Sequence, residues 1–230
     1  MKQVKKMIAA AAIAAAPMLS HAAPTLTVCI DNAAGGFNYG TASCVMDNGA
    51  GDSFGIGGAI STSFVLGLTP LQFVISAAVG EPAFSPGFGM SLSADGPVSG
   101  SWILAIAQTN LMFGNATPGL TRVGAEFTGS VTGPGSASYA VYVDDANRGL
   151  ASWGPVGTAV ASGGFGSGSS DVMMSDPFSM LAFVTLSGGT GSYFSTDLTV
   201  TVPEPGSVAL VGAALLGLAA VRRRRSAQRD

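Results

Sequence analysis

Charged side chains are scarce in this chain, at 10% of 230 residues, and between positions 23 and 205 lysine and histidine are missing outright. His21 is the single histidine of the sequence. Without histidine, the long middle stretch is closed to Ser–His–Asp and Cys–His catalysis and to histidine-ligated zinc. Without lysine, it has no Schiff-base amine and no phosphate loop of the Gly-Lys-Ser/Thr kind. Two carboxylates could still hydrolyse a glycosidic bond. Glu81 and Glu126 are the only glutamates there besides Glu204, and nothing in the pattern brings them, or any two aspartates, together. The chain therefore reads as a non-enzyme without a cofactor.

Positive charge is almost as rare. The same stretch holds nine aspartates and three glutamates against Arg122 and Arg148, a net charge near −10 that the basic chain ends bring to −3 overall. Such a surface repels phosphate backbones, which excludes nucleic acid as a partner, and it repels anionic lipid headgroups as well. Lys, Arg, Glu and Gln also cover most helix surfaces, so their shortage leaves little from which to build amphipathic helices.

Glycine is abundant instead, at about twice its usual share of roughly 7%. Short β-branched, aromatic and apolar runs recur between Gly, Pro, Ser and Asp. They predict strands over 25–30, 54–60, 71–79, 90–94, 102–107, 122–131, 138–144, 180–187 and 193–202. Two runs alternate cleanly: Tyr139, Val141 and Val143 share one face, and Leu198, Val200 and Val202 share another, opposite Asp197, Thr199 and Thr201. Many short strands with turn signals between them indicate an all-β fold, a single jelly-roll-like β-sandwich over 23–202. The segment ASGGFGSGSS at 161–170 is expected to be a flexible loop crossing the sandwich.

Both ends depart from this pattern. Lys2, Lys5 and Lys6 precede an apolar run over 7–16, and Ser20-His21-Ala22 supplies small residues for an exit. That is the build of a secretory signal peptide over 1–22, directing export by the Sec machinery, with cleavage at the Ala22–Ala23 bond. The histidine leaves with it. Cys29 and Cys44 both fall in the exported body, where an even pair in an oxidising compartment reads as a disulfide.

At the other end, Val202-Pro203-Glu204-Pro205 runs into 206–221, sixteen residues without a charge, and then into Arg222, Arg223, Arg224 and Arg225. Each proline fixes its own φ and biases its predecessor toward extended backbone, so the motif ends a strand and resists becoming helix. Sixteen helical residues reach about 24 Å, a marginal membrane span that flanking residues and snorkelling arginines can complete. The arginine cluster stays cytoplasmic and retains the span, leaving 226–230 as a cytoplasmic tail.

The order of short motif, apolar span and basic cluster resembles the PEP-CTERM sorting signal, also known as an ice-binding-protein C-terminal motif. The resemblance covers 203–225 with Val202 before it, about a tenth of the chain. It implies recognition of Pro203, Glu204 and Pro205 by an exosortase, a multi-pass membrane protease or transpeptidase of Gram-negative bacteria that make exopolysaccharide. The chain would be a substrate, held transiently in the inner membrane and then sorted to the cell surface or extracellular matrix. Cys29-Ile-Asp-Asn-Ala-Ala-Gly35 and the run 177–186 with 193–202 also resemble segments of proteins bearing such tails.

The expected role is structural or adhesive, in association with exopolysaccharide. The alternative is a periplasmic β-sandwich held by an uncut single-pass tail and binding carbohydrate or Ca²⁺. Asp47-Asn-Gly-Ala-Gly-Asp52 and Asp144-Asp-Ala-Asn147 offer oxygen ligands for calcium, although the same residues dominate ordinary turns. Trp153, in Ser-Trp-Gly-Pro, is the candidate sugar platform, while Trp102 opens an apolar run and is expected in the core.

Overall fold

The structure, a computed structural model, describes residues 25–32, 35–54, 59–65, 72–80, 87–111, 119–152 and 158–203. Along the chain the strands are Thr25–Asn32 (β1), Ser43–Met46 (β2), Ala59–Val65 (β3), Gln72–Gly80 (β4), Gly87–Pro97 (β5) and Gly100–Leu111 (β6). They continue with Gly119–Thr132 (β7), Gly135–Asp144 (β8), Thr158–Gly163 (β9), Gly166–Met174 (β10), Phe178–Gly188 (β11) and Tyr193–Pro203 (β12). A short 3₁₀ turn occupies Leu150–Ser152, and the described residues contain no α-helix. The all-β expectation holds.

Two six-stranded antiparallel sheets face each other. One is ordered β2-β1-β6-β11-β8-β9 and the other β10-β7-β12-β5-β4-β3. Strands β5 to β12 form one long antiparallel ribbon folded back on itself: β5 pairs with β12, β6 with β11, β7 with β10, and β8 with β9. The ribbon wraps so that β12 also pairs with β7, and β11 with β8. Strands β1 and β2 extend one sheet beyond β6, and β4 and β3 extend the other beyond β5.

Alternation decides which side chains fill the space between the sheets. Tyr139, Val141 and Val143 are buried, as are Leu198, Val200 and Val202, while Asp197, Thr199 and Thr201 face outward or stay exposed. Phe127, Phe178 and Phe194 are fully enclosed beside Leu104 and Ile106. Burial of each such large side chain contributes roughly 1.5–3 kcal/mol. A second, smaller cluster lies on the outer face of the first sheet, where Cys29, Ala105, Ala107 and Leu181 meet Leu150 and the half-buried Phe37 and Phe183.

The segment 161–170 is not a loop. Its first residues complete β9 and its last ones belong to β10, leaving only Gly164 and Phe165 as the turn. It does cross the sandwich, since β9 and β10 lie in different sheets. Small residues are required here by packing: a Cβ on Gly168 would lie 3.1 Å from both the Tyr139 hydroxyl and the Ala161 methyl. Phe165 stacks on Phe127 with ring centroids 4.9 Å apart, which pins the turn. Strand β2 likewise lacks a run long enough to announce itself, and exists because Cys29 and its neighbours supply a partner.

The two ends of the sandwich differ. At one, the connections are tight turns at 98–99, 133–134, 164–165 and 189–192. The other end carries the first residues of β5 and β7, the last of β6, the turn that follows Asp144, and the final residue of β12. Thr25 opens β1 at that second end, opposite Thr109, and the two hydroxyls are hydrogen-bonded.

Candidate functional site

The last strand sits in the middle of its sheet, with β7 on one side and β5 on the other. Val202 is fully buried, and Pro203 still pairs with Gly87. Pro203 has no N–H to offer, so a central ladder can run no further through it on that side. Pro203 is thus held against β5, one residue after a core side chain and two residues past the last β7 pair, Thr201 with Gly124. Glu204, Pro205 and the arginines Arg222, Arg223, Arg224 and Arg225 lie outside the described residues, as do Ala22, Ala23, Trp153 and Glu81. Among the described residues no helix is long and apolar enough to cross a membrane.

Cys29 and Cys44 are joined. They are directly opposed residues of β1 and β2, with Cα atoms 4.0 Å apart, and Cys29 is completely enclosed. Asp31, two residues on, is buried and accepts hydrogen bonds from the Asn38 N–H (2.7 Å) and the Thr41 hydroxyl (3.1 Å). This carboxylate holds the loop that returns the chain to Cys44. The Cys-Ile-Asp-Asn segment is therefore a folding device, and the aspartate two residues after a disulfide cysteine was its sequence signal.

In the two acidic turns, Asp47, Asp52 and Asp144 each accept hydrogen bonds. Asp52 accepts N–H bonds from Phe54 (3.0 Å), Asn48 (3.0 Å) and Ser61 (3.2 Å), and these, Phe54 foremost, hold its carboxyl below the usual range. Asp47 accepts from the Asn48 side chain at 3.1 Å. Asp144 is buried and receives a bidentate grip from Arg148, with Nε to Oδ2 at 2.7 Å and Nη2 to Oδ1 at 2.8 Å. The Ala146 and Arg148 N–H groups add two further bonds, and the carboxyl lies below its ordinary range, chiefly through the Arg148 side chain. Asn147 exchanges two bonds with Asn110, at 2.7 and 2.8 Å, fastening this turn to the end of β6. A cation would have to displace these donors. Among the described residues no three acidic, Cys or His side chains gather as a metal site.

Trp102 is not sealed in the core. It is half-buried, its indole N–H donates to the Ser99 carbonyl at 3.0 Å, and it borders an open cleft of about 380 Å³. Phe64, Asn32, Thr41 and Ser43 form much of the remaining wall. The ring sits near the start of β6, where it packs against the edge of the main core, and Phe64 of the opposite sheet lines the same cleft. Glu126 stands exposed on the outer face of β7, opposite Ser167 and Thr199, with Asp197 its diagonal neighbour on the same face.

No curated protein matches the chain. Among solved structures, it is similar to the structure of infectious bursal disease virus Gx strain, at 12% identity and a TM-score of 0.26. That likeness covers 82% of this chain and 53% of the viral one, so the chain spans about half the length of that protein. The match at the C-terminus is of another kind: residues 201–225, beginning within β12, carry the PEP-CTERM protein-sorting motif.

Proposed function

We propose that this chain is an exported substrate of an exosortase-type membrane protease, and that its body is a jelly-roll domain displayed at the surface of a Gram-negative cell. The observation that carries this reading is the direct continuity of a sorting motif with a central core strand. Pro203-Glu204-Pro205 is the recognition element, 206–221 the membrane span and Arg222–Arg225 the retaining cluster. The wrapped ribbon, with sheet orders β5-β12-β7-β10 and β6-β11-β8-β9 at its heart, supports the jelly-roll assignment. The signal peptide over 1–22 and the Sec machinery supply the route.

The body's role is structural or adhesive within an exopolysaccharide-associated layer, and it is not catalytic. The absence of histidine and lysine from the exported stretch supports that reading. A second reading keeps the tail uncut and makes the body a periplasmic carbohydrate-binding domain. The Trp102 cleft favours it, since a half-exposed indole beside hydroxyl and amide groups suits a sugar ring. Intact-mass analysis of protein recovered from the native cell surface separates the two. A species ending before Arg222 is expected, and full-length protein at the surface would favour the anchored domain.

A further inference from the structure

We infer that the end of the sandwich from which the tail leaves rests on the lipid surface, through an apolar pair formed by Leu120 and Met173. The inference builds on the reading that 206–221 spans the membrane. Leu120 and Met173 are each 66% exposed, the highest values among the large apolar side chains described, and they are directly paired across β7 and β10. Their neighbours Thr121, Val172 and Met174 point into the core, so strand alternation forces this pair onto the outer face.

Their position along the sheet gives them an occupant. Thr201 of β12 pairs with Gly124 of β7, and Pro203 lies two residues beyond Thr201. Leu120 lies four residues beyond Gly124 in the same direction, so it projects farther than Pro203 by two residues, about 7 Å. Only Glu204 and Pro205 separate Pro203 from the uncharged stretch. Even fully extended, that connection reaches roughly 11 Å. A span beginning at 206 therefore brings the bilayer surface to the level of Leu120 and Met173.

The charges nearby fit a neutral lipid surface. Arg122, two residues from Leu120, faces Asp171 in register and hydrogen-bonds the Ser169 hydroxyl at 3.0 Å. Arg122 and Asp171 together carry no net charge, while Asp176, three residues beyond Met173, and Glu204 add negative charge that disfavours anionic lipid. The opposite end, with its tight glycine turns, then points away from the membrane and carries the Trp102 cleft outward.

The test uses the full chain reconstituted in phosphatidylcholine vesicles. Its two cysteines are bonded to each other, so one introduced cysteine gives a unique thiol. Met173→Cys and, in a separate protein, Tyr193→Cys are labelled with a small fluorophore. Tyr193 is 48% exposed and lies at the far end, where β12 begins. Spin-labelled lipid should quench the label at 173 at least threefold more than the label at 193. Co-flotation with vesicles but equal quenching at both sites would overturn the docking alone. Failure to float would overturn the membrane-span reading and this inference with it. Quenching at 173 that requires added sorting protease would assign the pair to a protein contact instead.

Discussion

Arg148 holds both oxygens of Asp144, at 2.7 and 2.8 Å, four residues away across a turn that contains another acidic residue. Asp144 is almost wholly enclosed, while the arginine keeps partial contact with solvent. The turn is the fold-back point of the long ribbon, between β8 and β9. One of only two positive side chains in the exported stretch is thus used to close the ribbon's tip.

Stability should fall in acid with a contribution from this pair. Asp144 and Asp52 have folded-state pKa values lowered by Arg148 and by the Phe54 N–H respectively. Their contributions are fully present above the unfolded carboxylate value of about 3.9 and vanish as pH falls through the folded value. Asp144→Asn should cost on the order of 2 kcal/mol at pH 7 and flatten the acid limb of a Tm-against-pH profile. Parallel profiles for the two proteins would show that the pair contributes nothing.

The disulfide closes a fifteen-residue separation and should stabilise the body by about 3 kcal/mol in the chain-entropy model. Non-reducing peptide maps of exported protein should link the segments around Cys29 and Cys44. Thermal unfolding with and without a phosphine reductant measures the size of the effect. Two thiols that alkylate freely in native, unreduced protein would remove the bond from this account.

Gly135 should tolerate no side chain. A Cβ there would lie 2.7 Å from the Ser187 carbonyl oxygen and 2.9 Å from the Phe194 ring, and a paired backbone cannot retreat. Gly135→Ala is expected to destabilise by roughly 1–3 kcal/mol. Gly35, with nothing within 4 Å of its added Cβ, is the control and should shift stability by less than about 0.5 kcal/mol. Urea denaturation at constant m-value decides between the two cases.

Calcium should leave the body unchanged. Asp52 and Asp144 already accept backbone or guanidinium donors, so a cation at about 1 mM must break those bonds to bind. Differential scanning calorimetry should give the same Tm with calcium as with chelator. A rise of several degrees would reveal a site, because a ligand of the folded state alone raises stability by linkage.

The parts of the tail should fail in different ways. Pro203→Ala, Glu204→Ala and Pro205→Ala together remove the recognition carboxylate and the strand-ending prolines, and full-length protein should accumulate in the inner membrane. Neutral residues at Arg222–Arg225 should weaken retention, because the positive-inside brake is gone. Membrane fractionation in a host that has the sorting protease reads both. Normal trimming of the alanine variant would show that Pro-Glu-Pro is not the recognition element.

Period-two alternation let the sequence determine the outer shape of this protein. Tyr139, Val141 and Val143, or Leu198, Val200 and Val202, can share one buried face only in extended backbone. The C-terminal motif was equally legible, because prolines, an uncharged run and consecutive arginines act through local chemistry. The glycine- and serine-rich stretch 161–170 was not legible as strand, since its strand state comes from partners such as Tyr139 and Phe127 rather than from its own side chains. Nor could pattern reveal that Asp144 meets Arg148, that Trp102 borders an open cleft, or that Leu120 and Met173 share an end with Pro203. Those facts depend on strand order and register, which are set by long-range pairing between segments that carry no local record of their partners.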